Sequence, residues 1–429
     1  MNRKFSVKNK KALVVGLGIS GLSAAHFLAD RGAIVHGVDK NVSAINSASL
    51  LSKGITIGSD TAPCDVASFD LVVVSPGIPP AHPIYHSARD AGVETIGEVE
   101  LGCRFVTQPM VGITGTNGKT TVTLLVTHVL NHCGKKAKAL GNVGVPLTKE
   151  IATAFPDDIL VTELSSYQLE TLSCRVLDAG VILNVTPDHL DRYVDMEAYA
   201  RAKCLIRHSL KTGAPLYVEE ATMQNYGHLL NGLAVKTYGY AASCDITPIQ
   251  IRYQGKPSHD AENIMAAYAL CMQMGVEPEA FFKALPSFKK PSHRIEFICQ
   301  RNGVSYYDDS KGTNIDAVIR AVEQMNGKVV IIAGGVDKGA AYTPWIEAFG
   351  TKVKTIIAIG QAAKKMEQQL SHAIPVKVYR TLEEAVNAAS QLAQSGDSVL
   401  LSPGCSSFDM FKDYAHRGEE FQRLVRSLE

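Results

Sequence analysis

Short β-branched runs alternate with longer helical stretches along this chain, and the alternation starts afresh twice. That pattern predicts parallel sheets, because strands joined through helices run the same way and bury both faces. Ala12–Gly16, Val35–Asp39 and Leu71–Ser75 read as strands, with helices over Ser20–Arg31 and Ile84–Ala91. Near Pro109 the pattern restarts with strands Met110–Thr114, Ile159–Glu163 and Ala179–Asn184 and helices Lys119–Cys133, Tyr199–Leu210 and Glu262–Met274. After Lys289-Lys290-Pro291 it restarts again, with strands Val329–Ala333, Thr355–Ile359 and Ser398–Ser402 between helices near Ala317–Met325, Gln361–Leu370 and Leu382–Gln394. Boundaries near 107 and 292 follow, giving three α/β domains over 1–107, 108–292 and 293–429.

Composition narrows the function. The 429 residues carry 43 Lys+Arg against 42 Asp+Glu, so no electrostatic ground exists for a nucleic-acid or anionic-membrane partner. Nine cysteines, odd in number and never spaced as CxxC, predict reduced packing thiols in a cytoplasmic protein rather than a disulfide or zinc framework. The uncharged run Ala12–Ala29 follows two lysines as a leader peptide would, but Gly16, Gly18, Gly21 and His26 interrupt it; a strand–turn–helix is the better reading. A monomer without a membrane segment is expected.

The middle domain opens with Val111-Gly-Ile-Thr-Gly115-Thr116-Asn117-Gly118-Lys119-Thr120-Thr121, a strand running through a glycine-rich turn into a helix. Backbone N–H groups in such a turn converge on phosphate oxygens at the positive end of the helix. Lys119 then reaches the terminal phosphates and the Thr120 hydroxyl is a magnesium ligand. Ile113 stands where the strict phosphate-loop pattern has its first glycine. In the first domain Gly16-Leu-Gly18-Ile19-Ser20-Gly21 follows one strand, and Asp39 ends the next. Taken alone, this is a Rossmann fingerprint open to a nicotinamide or flavin dinucleotide, or to any other diphosphate. Fold class is therefore Rossmann-like domains at both ends and a P-loop ATPase-like parallel sheet between them.

The variant phosphate loop resembles that of the Mur ligases and their relative folylpolyglutamate synthase, and further strings agree in order: Gly141-Asn142-Val-Gly, Glu163-Leu-Ser-Ser, Asn184-Val-Thr-Pro-Asp-His189, Lys203, His259-Asp260-Ala-Glu-Asn263, His293-Arg294, Asp308-Asp309-Ser-Lys311-Gly-Thr313-Asn, Gly335-Val-Asp-Lys338 and Ser402-Pro-Gly-Cys-Ser-Ser407 with Tyr414 and Arg417-Gly. The resemblance implies an ATP-dependent amide-forming ligase of peptidoglycan precursor synthesis, acting through an acyl phosphate. It implies ATP on Gly115–Thr121, Asn263, Arg294, Asp309 and Lys311. Two Mg²⁺ ions are implied on Thr120, Glu163, His189 and Lys203, with Lys203 carrying a CO₂-derived carbamate, and Lys119, Glu163, His189 and Lys203 as catalytic residues.

Within the family, the GxGxSG loop and Ser75-Pro76-Gly77 resemble those members that add D-glutamate to UDP-N-acetylmuramoyl-L-alanine. For them, Gly18, Ile19, Ser20, Asp39, Ser75, Pro76, Gly77, Asn142 and His189 are the implied contacts to the UDP-sugar. Thr313, Lys338, Ser407 and Tyr414 are implied at D-glutamate. Relatives that add diaminopimelate or lysine carry an Arg in the turn where this chain has Asp337-Lys338. An NAD(P)-dependent oxidoreductase is the rival from another class; it leaves the phosphate loop and the DDSK string without a use. The general base and the role of Asp260 stay open.

Overall fold

The computed structural model describes residues 5–45, 48–62, 64–255 and 257–428. The chain divides into two compact units, Met1–Val185 with Ala200–Phe288, and Thr186–Tyr199 with Lys289–Glu429.

The first unit holds two parallel sheets. Strands β1 (Lys11–Val15), β2 (Ile34–Asp39), β3 (Thr56–Ser59), β4 (Leu71–Val74) and β5 (Glu94–Gly97) lie in the order β3-β2-β1-β4-β5. Strands β6 (Met110–Thr114), β7 (Lys136–Gly141), β8 (Asp158–Glu163), β9 (Ala179–Ile182), β10 (Leu216–Glu219) and β11 (Val235–Tyr238) lie in the order β11-β10-β9-β6-β8-β7. β4, β6, β8 and β9 are buried at every position, which is why their centres read as apolar runs rather than alternating ones. Strand order reverses beside β1 and beside β6, so crevices open at the carboxyl ends of those strands. The Gly16–Ser20 and Gly115–Gly118 loops both start there.

The second unit holds β12 (Glu296–Arg301), β13 (Val304–Asp308), β14 (Val329–Gly334), β15 (Val353–Ile359), β16 (Val376–Val378) and β17 (Ser398–Leu401) in the order β12-β13-β17-β14-β15-β16. β12 runs antiparallel to β13 and the other pairs are parallel. The antiparallel edge strand departs from the all-parallel expectation: Asn302-Gly303, with Asn302 at φ 49°, turns the chain straight back into a hairpin.

Several boundaries shift for local reasons. Strand β9 stops two residues short of Asn184, whose carbonyl turns to accept from Thr116 N at 2.7 Å. The helix expected over Tyr199–Leu210 is α-helical over Met196–Cys204 and tightens to 3₁₀ over Leu205–Ser209. The helix expected from Glu262 begins at His259, because the Ser258 side chain caps it by accepting from Ala261 N. Among the described residues no helix is long and apolar enough to cross a membrane.

Candidate active site

The N-terminal loop is closed by its own side chains. Ser75 Oγ donates to Gly16 O at 2.6 Å, and Asp39 Oδ2 accepts from Leu17 N at 2.6 Å. A Cβ on Gly21 would stand 1.8 Å from Gly16 O, so the third glycine is required for the helix to begin this close to the strand. Gly18 differs: a Cβ there would meet nothing within 4 Å. It is the N-cap of helix Ile19–Asp30, which no side chain caps and which has no acid in its first turn. Open space before an uncapped helix end suits a phosphate. Ile19, 80% exposed, and Ser20 stand at the same end.

The phosphate loop is held on three sides. Asn184 clamps it, its Oδ1 accepting from Asn117 N at 2.8 Å and its Nδ2 donating to Asn117 O at 3.1 Å. Gly118, at φ 87°, caps helix Lys119–His132, and a Cβ there would lie 2.3 Å from Asn263 Oδ1, so Asn263 does reach the loop. Lys119 Nζ donates to Gly115 O at 2.8 Å and Thr116 O at 2.7 Å, curled over the loop interior. Lys203, 1% exposed, donates to the same Gly115 O at 2.7 Å. Thr121 is buried in the first helical turn.

Glu163 ends β8 and is 2% exposed. Its Oε2 accepts from Thr120 Oγ1 and its Oε1 from Asn142 Nδ2, both at 2.8 Å. The loop lysines, the Thr120 hydroxyl, the Glu163 carboxylate and Asn142 are thus one cluster within the first unit. Thr120 and Glu163 together offer buried hard oxygen donors beside a phosphate loop, a set that fits Mg²⁺.

A second cluster forms in the second unit around Asp188. Its Oδ1 accepts from Lys338 Nζ and from His189 N, both at 3.0 Å, and its Oδ2 lies 3.4 Å from Asn314 Nδ2. His189, at φ 56°, turns its ring so that Nε2 is 3.6 Å from Asp188 Oδ2. Lys338 Nζ also donates to Thr313 Oγ1 at 3.4 Å. Two residues implied at D-glutamate, Thr313 and Lys338, therefore meet.

The loops after β13 and β17 make a third cluster, in the same unit. Burial pushes the Asp309 carboxyl up to about 7, although Ser402 Oγ donates to its Oδ2 at 2.6 Å and the nearby Arg294 favours its charge. Lys311 Nζ stands 3.8 Å from the centre of the Tyr414 ring, a cation–π contact. Arg417, 1% exposed, spreads its guanidinium over Ser310 Oγ (2.9 Å), Ser310 O (2.8 Å) and Cys405 O (3.2 Å), tying the DDSK segment to the loop that carries buried Ser407. Burial raises the Cys405 thiol to about 11, so it is a packing group and not a nucleophile.

Three contributors escaped the sequence reading. Asn184, Asp188 and Arg417 all stood inside strings singled out there, yet none received a role. A polar residue ending an apolar strand was the available signal for Asn184; nothing local marks Asp188 or Arg417, whose partners are distant in sequence.

Three family models match in order: Mur ligase MurD-like, N-terminal domain, over residues 10–97; Mur ligase middle domain over 113–246; and Mur ligase, glutamate ligase domain, over 293–405. The chain is 52% identical to a UDP-N-acetylmuramoylalanine–D-glutamate ligase of Protochlamydia amoebophila, with 98% of each chain covered. It is 38% identical to the ligase of the same name from Geotalea daltonii, again over 98% of both. The crystal structure of the UDP-N-acetylmuramate–alanine ligase of Thermotoga maritima shares the fold, at TM-score 0.60 and 18% identity, covering 97% of this chain and 99% of that one. With this much identity along the whole of both chains, and all three domains in the family's order, the protein belongs to the Mur ligase family.

Proposed function

We propose that this chain joins D-glutamate to UDP-N-acetylmuramoyl-L-alanine with ATP, releasing ADP and phosphate. The observation that carries the reading is the 52% identity, over 98% of both chains, with a relative named for that reaction. The first domain supports it, since its open, uncapped helix end at Gly18 suits the diphosphate of a nucleotide-sugar as well as that of a dinucleotide. Ser75, Pro76, Gly77 and Asp39 complete that pocket, and Asn142 and His189 take the sugar end. The oxidoreductase alternative is set aside by the family.

The substrate carboxylate attacks the γ-phosphorus of ATP, breaking the bond to the β–γ bridging oxygen and giving an acyl phosphate and ADP. Two anions must approach, so the barrier is largely electrostatic and orientational. Gly115–Thr121 cradle the phosphates, and the Lys119 ammonium follows the charge on the transferred group; Asn263, Arg294, Asp309 and Lys311 serve the nucleotide. Thr120 and Glu163 would hold magnesium, which when bound offsets charge on the phosphate oxygens. Lys203 joins them if its neutral amine adds to CO₂ and sheds a proton, which turns a cation into an oxygen donor and leaves one N–H for Gly115 O. D-Glutamate is held through its side-chain carboxylate by Lys338 with Thr313, Ser407 and Tyr414. Its amine attacks the acyl carbon, phosphate leaves, and the ammonium proton passes to a base. Cytoplasmic location and action as a monomer belong to the same proposal.

Phosphate release from ATP is the direct test, with UDP-N-acetylmuramoyl-L-alanine present and D-glutamate, L-glutamate, lysine or diaminopimelate added singly. Release with D-glutamate alone is expected. Release with another amino acid keeps the chemistry and overturns the substrate. For the carbamate, Lys203→Ala activity should return with added short-chain carboxylates; full activity without them removes it.

A further inference from the structure

Glu98 opens the helix Glu98–Cys103, whose six residues are all buried. It is 1% exposed and, among the described residues, has no ion-pair partner. A buried carboxylate without a cation is costly, so hydrogen bonds must hold it. Oε1 accepts twice from one residue, Thr148, from N at 2.7 Å and from Oγ1 at 2.6 Å. The Thr148 hydroxyl proton is then committed, and Ser23 Oγ, 2.7 Å from Thr148 Oγ1, must be the donor in that pair. The order is Ser23 to Thr148 to Glu98.

The two hydroxyl members of this relay adjoin segments read as substrate-facing. Ser23 lies on helix Ile19–Asp30, one turn beyond the Gly16–Ser20 loop. Thr148 sits in the first turn of helix Leu147–Ile151, at the end of a segment that starts with Asn142. Asn142 is fixed at its own end, with N donating to Glu163 O at 3.0 Å and Nδ2 to Glu163 Oε1 at 2.8 Å. Just before it, Gly141 N donates to Val145 O at 3.2 Å, tying the start of the segment to its middle. One carboxylate thus pins each end of the Asn142–Thr148 segment. A second set ties the same helix to the loop after Leu169: Glu100 Oε2 accepts from Ser173 N at 2.8 Å and Cys174 N at 2.9 Å.

We propose that Glu98 is a positioning residue for the nucleotide-sugar, fixing through Thr148 the spacing between the Gly16–Ser20 loop and Asn142. This rests on the reading of those two segments as the nucleotide-sugar site. Because the Glu100 bonds hold that helix to Ser173 and Cys174 without Thr148, loss of the Thr148 link changes the spacing without freeing the helix.

Thr148→Val, Ser23→Ala and Glu98→Gln in the full chain test it. Thr148→Val keeps the volume and the backbone donor but drops both hydroxyl bonds. It should raise the KM for UDP-N-acetylmuramoyl-L-alanine about tenfold while kcat and the ATP KM stay within about twofold. Ser23→Ala should move the same constant in the same direction by less. Glu98→Gln keeps an oxygen that accepts both bonds, and should stay within about twofold of the parent throughout. An unchanged KM in Thr148→Val, with or without a lower melting temperature, would overturn the proposal, as would an equal loss in the ATP KM or a Glu98→Gln defect as large as that of Thr148→Val. If the unaltered protein shows no calorimetric binding of UDP-N-acetylmuramoyl-L-alanine, the substrate reading itself fails and takes the proposal with it.

Discussion

Lys338 and Asp188 form an ion pair at the place proposed for the amino acid. They stand 3.0 Å apart with side chains 14% and 8% exposed, so water screens them little. Lys338→Met keeps the aliphatic stem and removes the charge that would meet the substrate side-chain carboxylate, and it leaves Asp188 with a weaker donor set. The expected result is a D-glutamate KM raised about a hundredfold with the ATP KM unchanged, read by phosphate release. Adding Asp188→Asn to that variant should cost little more, because the two residues act as one pair. Resemblance to the family made Lys338 visible, in a glycine turn after an apolar strand that alone reads only as a tight turn. Asp188 stayed hidden because its meaning lies in a partner 150 positions away, which no local pattern encodes.

The phosphate loop is an element whose shape is dictated by contacts outside it. Gly118 sits at φ 87°, and any Cβ there would meet Asn263 Oδ1 at 2.3 Å. Gly118→Ala therefore costs about 1 kcal/mol in backbone strain and must also displace Asn263. An ATP KM raised about tenfold is expected, with UDP-N-acetylmuramoyl-L-alanine binding unaltered by calorimetry; unchanged ATP kinetics would show that Asn263 has no part in holding the nucleotide. Elements buried on both faces were legible from sequence, as with Met110–Thr114, whose five residues are all buried. Edge strands were not. Val376–Val378 and Thr56–Ser59 have no fully buried residue, and Glu296–Arg301 carries Glu, Gln and Arg, so burial never wrote an apolar run into them. Helix starts slid by up to three residues where a cap such as Ser258 lay outside the apolar stripe.

The folded protein as a whole holds protons that its unfolded chain releases. The Asp309 carboxyl rises to about 7 through burial, and His293 is raised by its 2.6 Å hydrogen bond to Asp308. Both bind protons more tightly when folded, so between their unfolded and folded pKa values stability falls as pH rises. For Asp309 the window runs from 3.8 to about 7; for His293 it opens above 6.5. The opposing carboxylates act lower, and His26, lowered from 6.5 chiefly by burial, opposes just below that value. Glu94 and Glu100 are depressed below 4.5, Glu94 chiefly by its hydrogen bonds to Arg104 and Glu100 by backbone and Arg104 donors that outweigh its burial, so their contribution is complete above about pH 5. From pH 5 to 8 the raised groups decide the slope, and the nucleotide-free protein should melt at progressively lower temperature. Glu98, raised by burial, shares in that slope, and Asp309→Asn removes the Asp309 part while keeping an acceptor for Ser402, so its melting temperature should vary less over pH 5 to 7. A variant that still follows the parent curve in that range would assign the slope to groups other than Asp309. ATP suppresses the difference if Asp309 contacts the nucleotide, since binding to the ionised form lowers its pKa again.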